Sequence, residues 1–169
     1  MANWAPQEGY IVPQAITATS TSQKLPLGTV VTAHDVAGAS GLGAGEFVYA
    51  KGVASTAIGS VVTIDEAGVT ALASANAKGR IGCAMSANVA SQYGWYQISG
   101  KGVAKVKASF ADNGVCYLTS TAGSVDDTAV AGDLVQGMMG RSAIDTPATG
   151  QAYVELNRPF ADDTANDGQ

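Results

Sequence analysis

His34 is the only histidine in the chain, and Asp35 follows it directly. A Ser/His/Asp relay needs its acid on the far side of the imidazole from the nucleophile. Adjacent residues on a strand point to opposite faces, so this pair is badly placed for such a relay. His34 is read as a surface or turn residue. Gly38, Gly41, Gly43 and Gly45 invite comparison with a phosphate cradle. A cradle needs a helix after it, with its N-terminus facing the phosphate. The residues that follow, GEFVYAK, are strand-like, so the glycines predict a loop.

Asp126, Asp127 and Asp133 offer carboxylates for calcium, but their spacing does not fit an EF-hand loop, and the intervening Thr-Ala-Val-Ala supplies few oxygen ligands. A solvated acidic turn is expected there. Glu8, Glu46, Glu66 and Glu155 are scattered, with no sign of two carboxylates facing one cleft. Cys83 and Cys116 sit among apolar neighbours and are read as buried free thiols of a protein made in a reducing cytoplasm. A disulfide between them stays open. Two cysteines and one distant histidine, without CxxC spacing, do not make a zinc cage. No enzymatic activity, metal or other cofactor is expected.

Two further groups bear on binding. Lys101, Lys105 and Lys107 form the only basic cluster. It reads either as a solvated strand face or lysine-guarded edge, or as a contact with an acidic neighbouring subunit. Trp4, Tyr93, Trp95 and Tyr96 have the chemistry to stack on sugars, but Tyr93-Gly94-Trp95-Tyr96 reads first as a turn followed by core.

The elements that carry these residues are small-residue strands and turns. The chain has 169 residues, enough for one domain, with 46% apolar residues for a core and only 14% charged. A net charge of −5 argues against nucleic acid, whose affinity comes from Lys and Arg on phosphates, and against an anionic membrane. No apolar run approaches the ~20 residues that span a bilayer. The opening MANWAPQEGY lacks the basic and apolar regions of a secretory signal.

Residues 1–24 read as an extended arm. Pro6 and Pro13 discourage helix and central strand, ITATSTSQK has no matching apolar face, and Trp4, Tyr10, Ile11 and Val12 are its sticky points. A frayed terminus is the other reading. Residues 25–160 read as strands. LPLGTVVTAHDVA is a turn and a short strand, and SVVTIDEAGVTALAS is a hairpin around Asp65–Gly68. In the long segment WYQISGKGVAKVKASF, Ala104, Val106, Ala108 and Phe110 alternate with Val103, Lys105 and Lys107. Helix signal is thin: Ala67–Lys78 is interrupted by Gly68 and Val69, and Val125–Leu134 has room for one short turn. The tail ADDTANDGQ, residues 161–169, reads as disordered and acidic.

The spacing of VCYLTSTAGSV parallels FVYAKGVASTAIGSV, and QGMMGRSAIDTPATGQAYVEL parallels IGCAMSANVASQYGWYQIS. The expectation is therefore an all-β fold, a small β-barrel or β-sandwich built from two similar β units.

Residues 113–160 carry three short pieces, Thr121–Val125 (TAGSV), Ala131–Asp133 (AGD) and Val154–Pro159 (VELNRP), which Gly45–Ala50 and Ile58–Thr63 echo earlier in the chain. In these pieces the chain resembles the small capsid decoration, or cement, proteins of tailed bacteriophages. The resemblance spans roughly residues 45–160. It implies a structural virion protein on the capsid exterior, made in the host cytoplasm and commonly trimeric, that bridges major capsid protein subunits. On that reading the candidate capsid contacts are Trp4, Tyr10, Ile11, Val12, Lys101, Lys105 and Lys107. The other readings are a head-fibre, tail or receptor-binding β-module of a virion and a carbohydrate-binding module.

Overall fold

The structure, a computed structural model, describes residues 3–7, 12–38, 41–88 and 90–164. Tyr10, Ile11 and Glu8 lie outside them, as do most of the expected tail residues. The chain is all-β. Its strands are β1 (Trp4–Pro6), β2 (Val30–Asp35), β3 (Ala44–Lys51), β4 (Val61–Ile64), β5 (Thr70–Leu72), β6 (Gly79–Ala84), β7 (Tyr93–Lys105), β8 (Val115–Leu118), β9 (Val125–Asp126), β10 (Leu134–Gly140) and β11 (Gln151–Ala161). They form one 11-stranded sheet in the order β1-β2-β3-β7-β6-β11-β10-β8-β9, with β4 on β6 and β5 on β4. Every named strand pairing is antiparallel. Isolated parallel bridges add Lys51 to Val69, Val106 to Val125 and Thr146 to Ala152; the first links the end of β3 to the residue before β5.

Strand β7 organises the sheet. Its first half pairs with β3 from Tyr93 to Gly100, and its second half pairs with β11 from Ser99 to Lys105. Thirteen residues are long enough to serve both partners. Gly100 lets the two neighbours approach: a Cβ there would sit 2.3 Å from the Ala44 carbonyl oxygen, and its φ is +88°.

Alternating side chains enter different cores. Phe47 and Tyr49 of β3 join Trp4, Ile16, Val31 and Trp95 in one cluster. Val48 and Ala50 join Val62, Ile64, Tyr96 and Ile98 in a second. Val61, Ile81 and Cys83 join Ala104, Cys116, Val154 and Leu156 in a third. Strands β3, β4 and β6 thus bury apolar side chains on both faces, which is why FVYA, VVTI and IGCA read as near-continuous apolar runs. Farther along, β11 alternates cleanly: Ala152, Val154 and Leu156 point inward between exposed or half-buried neighbours.

The structure refines several expectations. The expected hairpin around Asp65–Gly68 forms, with β4 and β5 in register from Ile64–Thr70 to Val62–Leu72. The alternation in the long strand runs only to Val106: Ala108 is exposed in a turn at residues 108–109, where Ser109 has φ +73°, and Phe110 reaches the core from beyond that turn. Ala67–Lys78 and Val125–Leu134 hold strands and turns, and no helix forms among the described residues. The segments that parallel one another in spacing pair differently. In the earlier one β3 docks on β7 and β4 on β6; in the later one β8 docks on β10 and β9 on β8.

The described part of the N-terminal segment lies on its own chain. Trp4, Gln14 and Ile16 are buried. β1 pairs with β2 through Trp4–Asp35, Ala5–His34 and Pro6–Ala33, and Ser20 bridges to Tyr93. This segment supplies core as well as surface, because Trp4 closes one apolar cluster against Phe47 at 4.8 Å between ring centroids.

Candidate functional site

The outward face of β7, β11, β10 and β8 is set by register. Lys101, Val103 and Lys105 stand opposite Glu155, Tyr153 and Gln151. Met139 stands opposite both Glu155 and Val115. Because partners across a ladder share a face, these side chains form one surface. Glu155, Met139 and Val115 are exposed, while Lys101, Val103, Lys105 and Tyr153 are half-buried.

Polar contacts hold this surface in shape. The Lys101 ammonium lies 4.5 Å from the centroid of the Tyr153 ring. Arg141 donates from Nε to Glu155 Oε2 at 2.7 Å and from Nη1 to Asn113 Oδ1 at 3.0 Å. A concavity of about 640 Å³ opens here, lined by Ser99, Gly100, Lys101, Arg141, Glu155, Leu156 and Asn157. Of the basic cluster, Lys101 and Lys105 belong to this face. Lys107 lies past the end of β7 and donates to Thr121 Oγ1 at 2.9 Å.

A second concavity, of about 650 Å³, lies at the ends of β4, β6 and β11. Phe160, Arg80, Ile64 and Thr70 form a cross-strand row along it. Arg158 closes one side through a two-point ion pair with Glu46, with both contacts at 3.0 Å, and Glu46 holds the guanidinium pKa above its ordinary value.

The remaining sequence candidates take structural places. His34 is exposed on β2 and Asp35 is buried. Asp35 Oδ1 accepts from the backbone N–H groups of Asn3 and Ala37, so it ties the turn after β2 to the N-terminal segment. Gly38, Gly41 and Gly43 all have positive φ in the loop that leads into β3, as a loop reading requires, whereas Gly45 lies within β3, paired with Ala33 and Gly100. Asp127 accepts from the Ala111 N–H, whereas Asp133 accepts from the Asn76 N–H, so these carboxylates anchor separate turns. Among the described residues no group of three or more His, Cys, Asp or Glu is placed to hold a metal ion.

Cys83 and Cys116 are free thiols in one core cluster. Burial pushes each up to about 12, with repulsion from Cys116 adding to the effect at Cys83 and from Asp127 at Cys116.

The aromatic candidates lie inward. Trp95 and Tyr96 are fully buried. Trp95 Nε1 donates to the Gln14 carbonyl at 3.0 Å, and the Tyr49 hydroxyl donates to Gln14 Oε1 at 3.0 Å. Burial raises the pKa of both Tyr49 and Tyr96. Val12 packs at the edge of the same cluster as Trp4.

Sequence reasoning missed Arg141, Tyr153 and Met139 as members of the face that carries Lys101. The available signal was the hairpin of β10 and β11, but spacing alone does not reveal its register or its pairing with β7. No protein-family model matches the chain, and neither does any curated protein or solved structure.

Proposed function

We propose that this chain is a structural virion protein that binds the outer surface of a phage capsid and stabilises the shell by bridging major capsid protein subunits. The observation that carries this reading is the placement of the three pieces on which the resemblance rests. TAGSV makes the turn into β9, AGD leads into β10, and VELNRP lies within β11. β9 pairs with β8, β8 with β10 and β10 with β11, so the pieces fall in one contiguous part of the sheet.

In this reading the sheet curls into a small barrel or sandwich derived from two similar β units. The Lys51–Val69 bridge supports closure, since it returns the path β3-β7-β6-β4-β5 toward β3 around the cluster of Val48, Val62 and Tyr96. Closure limits exposed edges and resists deformation, both of which suit a staple on a pressurised shell. The N-terminal segment acts from where it is packed and offers exposed residues 21–24. The assembled state is a homotrimer on the capsid exterior, where many modest contacts repeated over the lattice sum to firm attachment.

Electron microscopy of the virion tests this. Density for the chain outside the major capsid lattice is the expected result. Density confined to the tail, or virions without the chain, overturns it; the first outcome would favour a tail or receptor-binding module.

A further inference from the structure

We propose that the outward face of β7, β11 and β10 docks onto a carboxylate-rich protein surface. That this surface belongs to a capsid rests on the reading above; the charge preference does not. With the whole chain at −5, a face at +2 (Lys101, Lys105 and Arg141 against Glu155) leaves −7 for everything else. The face is therefore a basic island on an acidic protein.

Its charges are available. Among the described residues neither Lys101 nor Lys105 has a carboxylate within ion-pair distance, and Glu155 is already engaged by Arg141. Glu46, across from Ser99 on β3, is held by Arg158, and Asp126, across from Tyr117 on β9, accepts from the Asp127 N–H.

The face also has an apolar component. Met139 and Val115 are 37% and 41% exposed and stand directly opposite each other. Tyr153 lies beneath the Lys101 ammonium and holds it over the face. An apolar pair beside fixed cations, with a concavity between Lys101 and Arg141, matches the mixed composition of a protein interface. The exposed apolar pair beside the cations would find no apolar counterpart on a phosphate backbone, which makes a protein partner the better match than nucleic acid. Opposite charge across the contact steers encounter and sets orientation.

The test uses full-length chain and two probes: capsid shells purified from the encoding phage and stripped of this protein, and immobilised poly-L-glutamate. Lys101→Glu/Lys105→Glu is expected to weaken shell binding at least about tenfold, with the larger loss at low salt. Lys101→Gln/Lys105→Gln should fall between it and the native chain, and Glu66→Lys, away from this face, should bind like the native chain. A thermal melt of each variant checks folding. If the native chain binds shells and both lysine variants bind equally well, the docking face is wrong while the virion role stands. If the native chain does not bind shells, the virion role falls and poly-L-glutamate decides the face. Retention of the native chain but not of the Glu variant then supports it; no retention overturns it. Binding to duplex DNA as tight as to either probe also overturns it.

Discussion

The Asn88 side chain occupies the space that a Cβ on Gly94 would need: its Nδ2 lies 2.6 Å from that position. The same Nδ2 donates to the Tyr96 hydroxyl at 2.7 Å. Tyr96 in turn lies 3.5 Å from Thr70 Oγ1, which donates to the Lys51 carbonyl at 3.0 Å. A buried polar chain thus links the start of β7 to β5 and to the end of β3. Gly94→Ala should cost about 1–3 kcal/mol by overpacking. In an Asn88→Ala background the same change should cost less, since the colliding amide is gone. Urea denaturation of the two single variants and the double variant measures this, with a coupling of at least about 0.5 kcal/mol expected. Additive costs would mean that Asn88 moves aside freely.

Gln14 ties the N-terminal segment to the sheet. Its Nε2 donates to the carbonyls of Ala18 and Tyr93 at 2.8 and 2.9 Å, and its Oε1 accepts from the Tyr49 hydroxyl. Gln14→Ala strands these partners in a largely buried place, and a loss of about 3 kcal/mol is expected from the unmet groups. Deleting residues 1–24 should cost more, because Trp4 and Ile16 leave the core as well. Equilibrium unfolding monitored by Trp95 fluorescence reads both. A deletion variant as stable as the parent would show the segment to be dispensable for folding.

The two thiols make an alkaline prediction. Their pKa values are raised in the folded chain, from an ordinary 9.0 to about 12, so the protonated forms favour the fold. This contribution is complete below pH 9 and is lost as pH rises toward 12. The midpoint of thermal unfolding should therefore fall more steeply across that range in the native chain than in Cys83→Ala/Cys116→Ala. At pH 8 a thiol reagent should label neither cysteine until urea is added, then both. Fast labelling of the folded chain would contradict their burial.

The Glu46–Arg158 pair joins β3 to β11 across 112 positions of sequence, yet the arginine side chain is 66% exposed. Solvent screens such a pair, so Arg158→Ala should change stability by no more than about 1 kcal/mol. Gly100→Ala, at the junction β7 makes with both neighbours, should cost considerably more. Its added carbon meets the Ala44 carbonyl oxygen, which is backbone and has little room to yield. A chemical melt comparing the two variants ranks a visible surface contact against a hidden backbone approach.

The all-β class and the hairpin at Asp65–Gly68 were legible from turn residues and alternation, because both depend on interactions a few residues apart. Loop glycines were legible too: Gly38, Gly41 and Gly43 adopt the positive φ that only glycine takes cheaply. The burial of Trp95 and Tyr96 agrees with the reading of Tyr93-Gly94-Trp95-Tyr96 as a turn followed by core. Local composition did not reveal that Trp4 and Gln14 belong to the core, since their partners Phe47, Tyr49 and Trp95 lie far along the chain.

Sequence alone determined the strand-and-turn character, the low charge, the acid excess and the period-two face that separates Lys101 and Lys105 from Ala104. Tertiary structure decided which strands meet. It took one long strand to pair with β3 at one end and β11 at the other before Lys101 came beside Tyr153, and the β10–β11 pairing brought Arg141 to Glu155. The physical reason is that backbone hydrogen bonding is nearly indifferent to side-chain identity. Strand order and register are chosen by which faces bury together, a property of the assembled core rather than of any one segment.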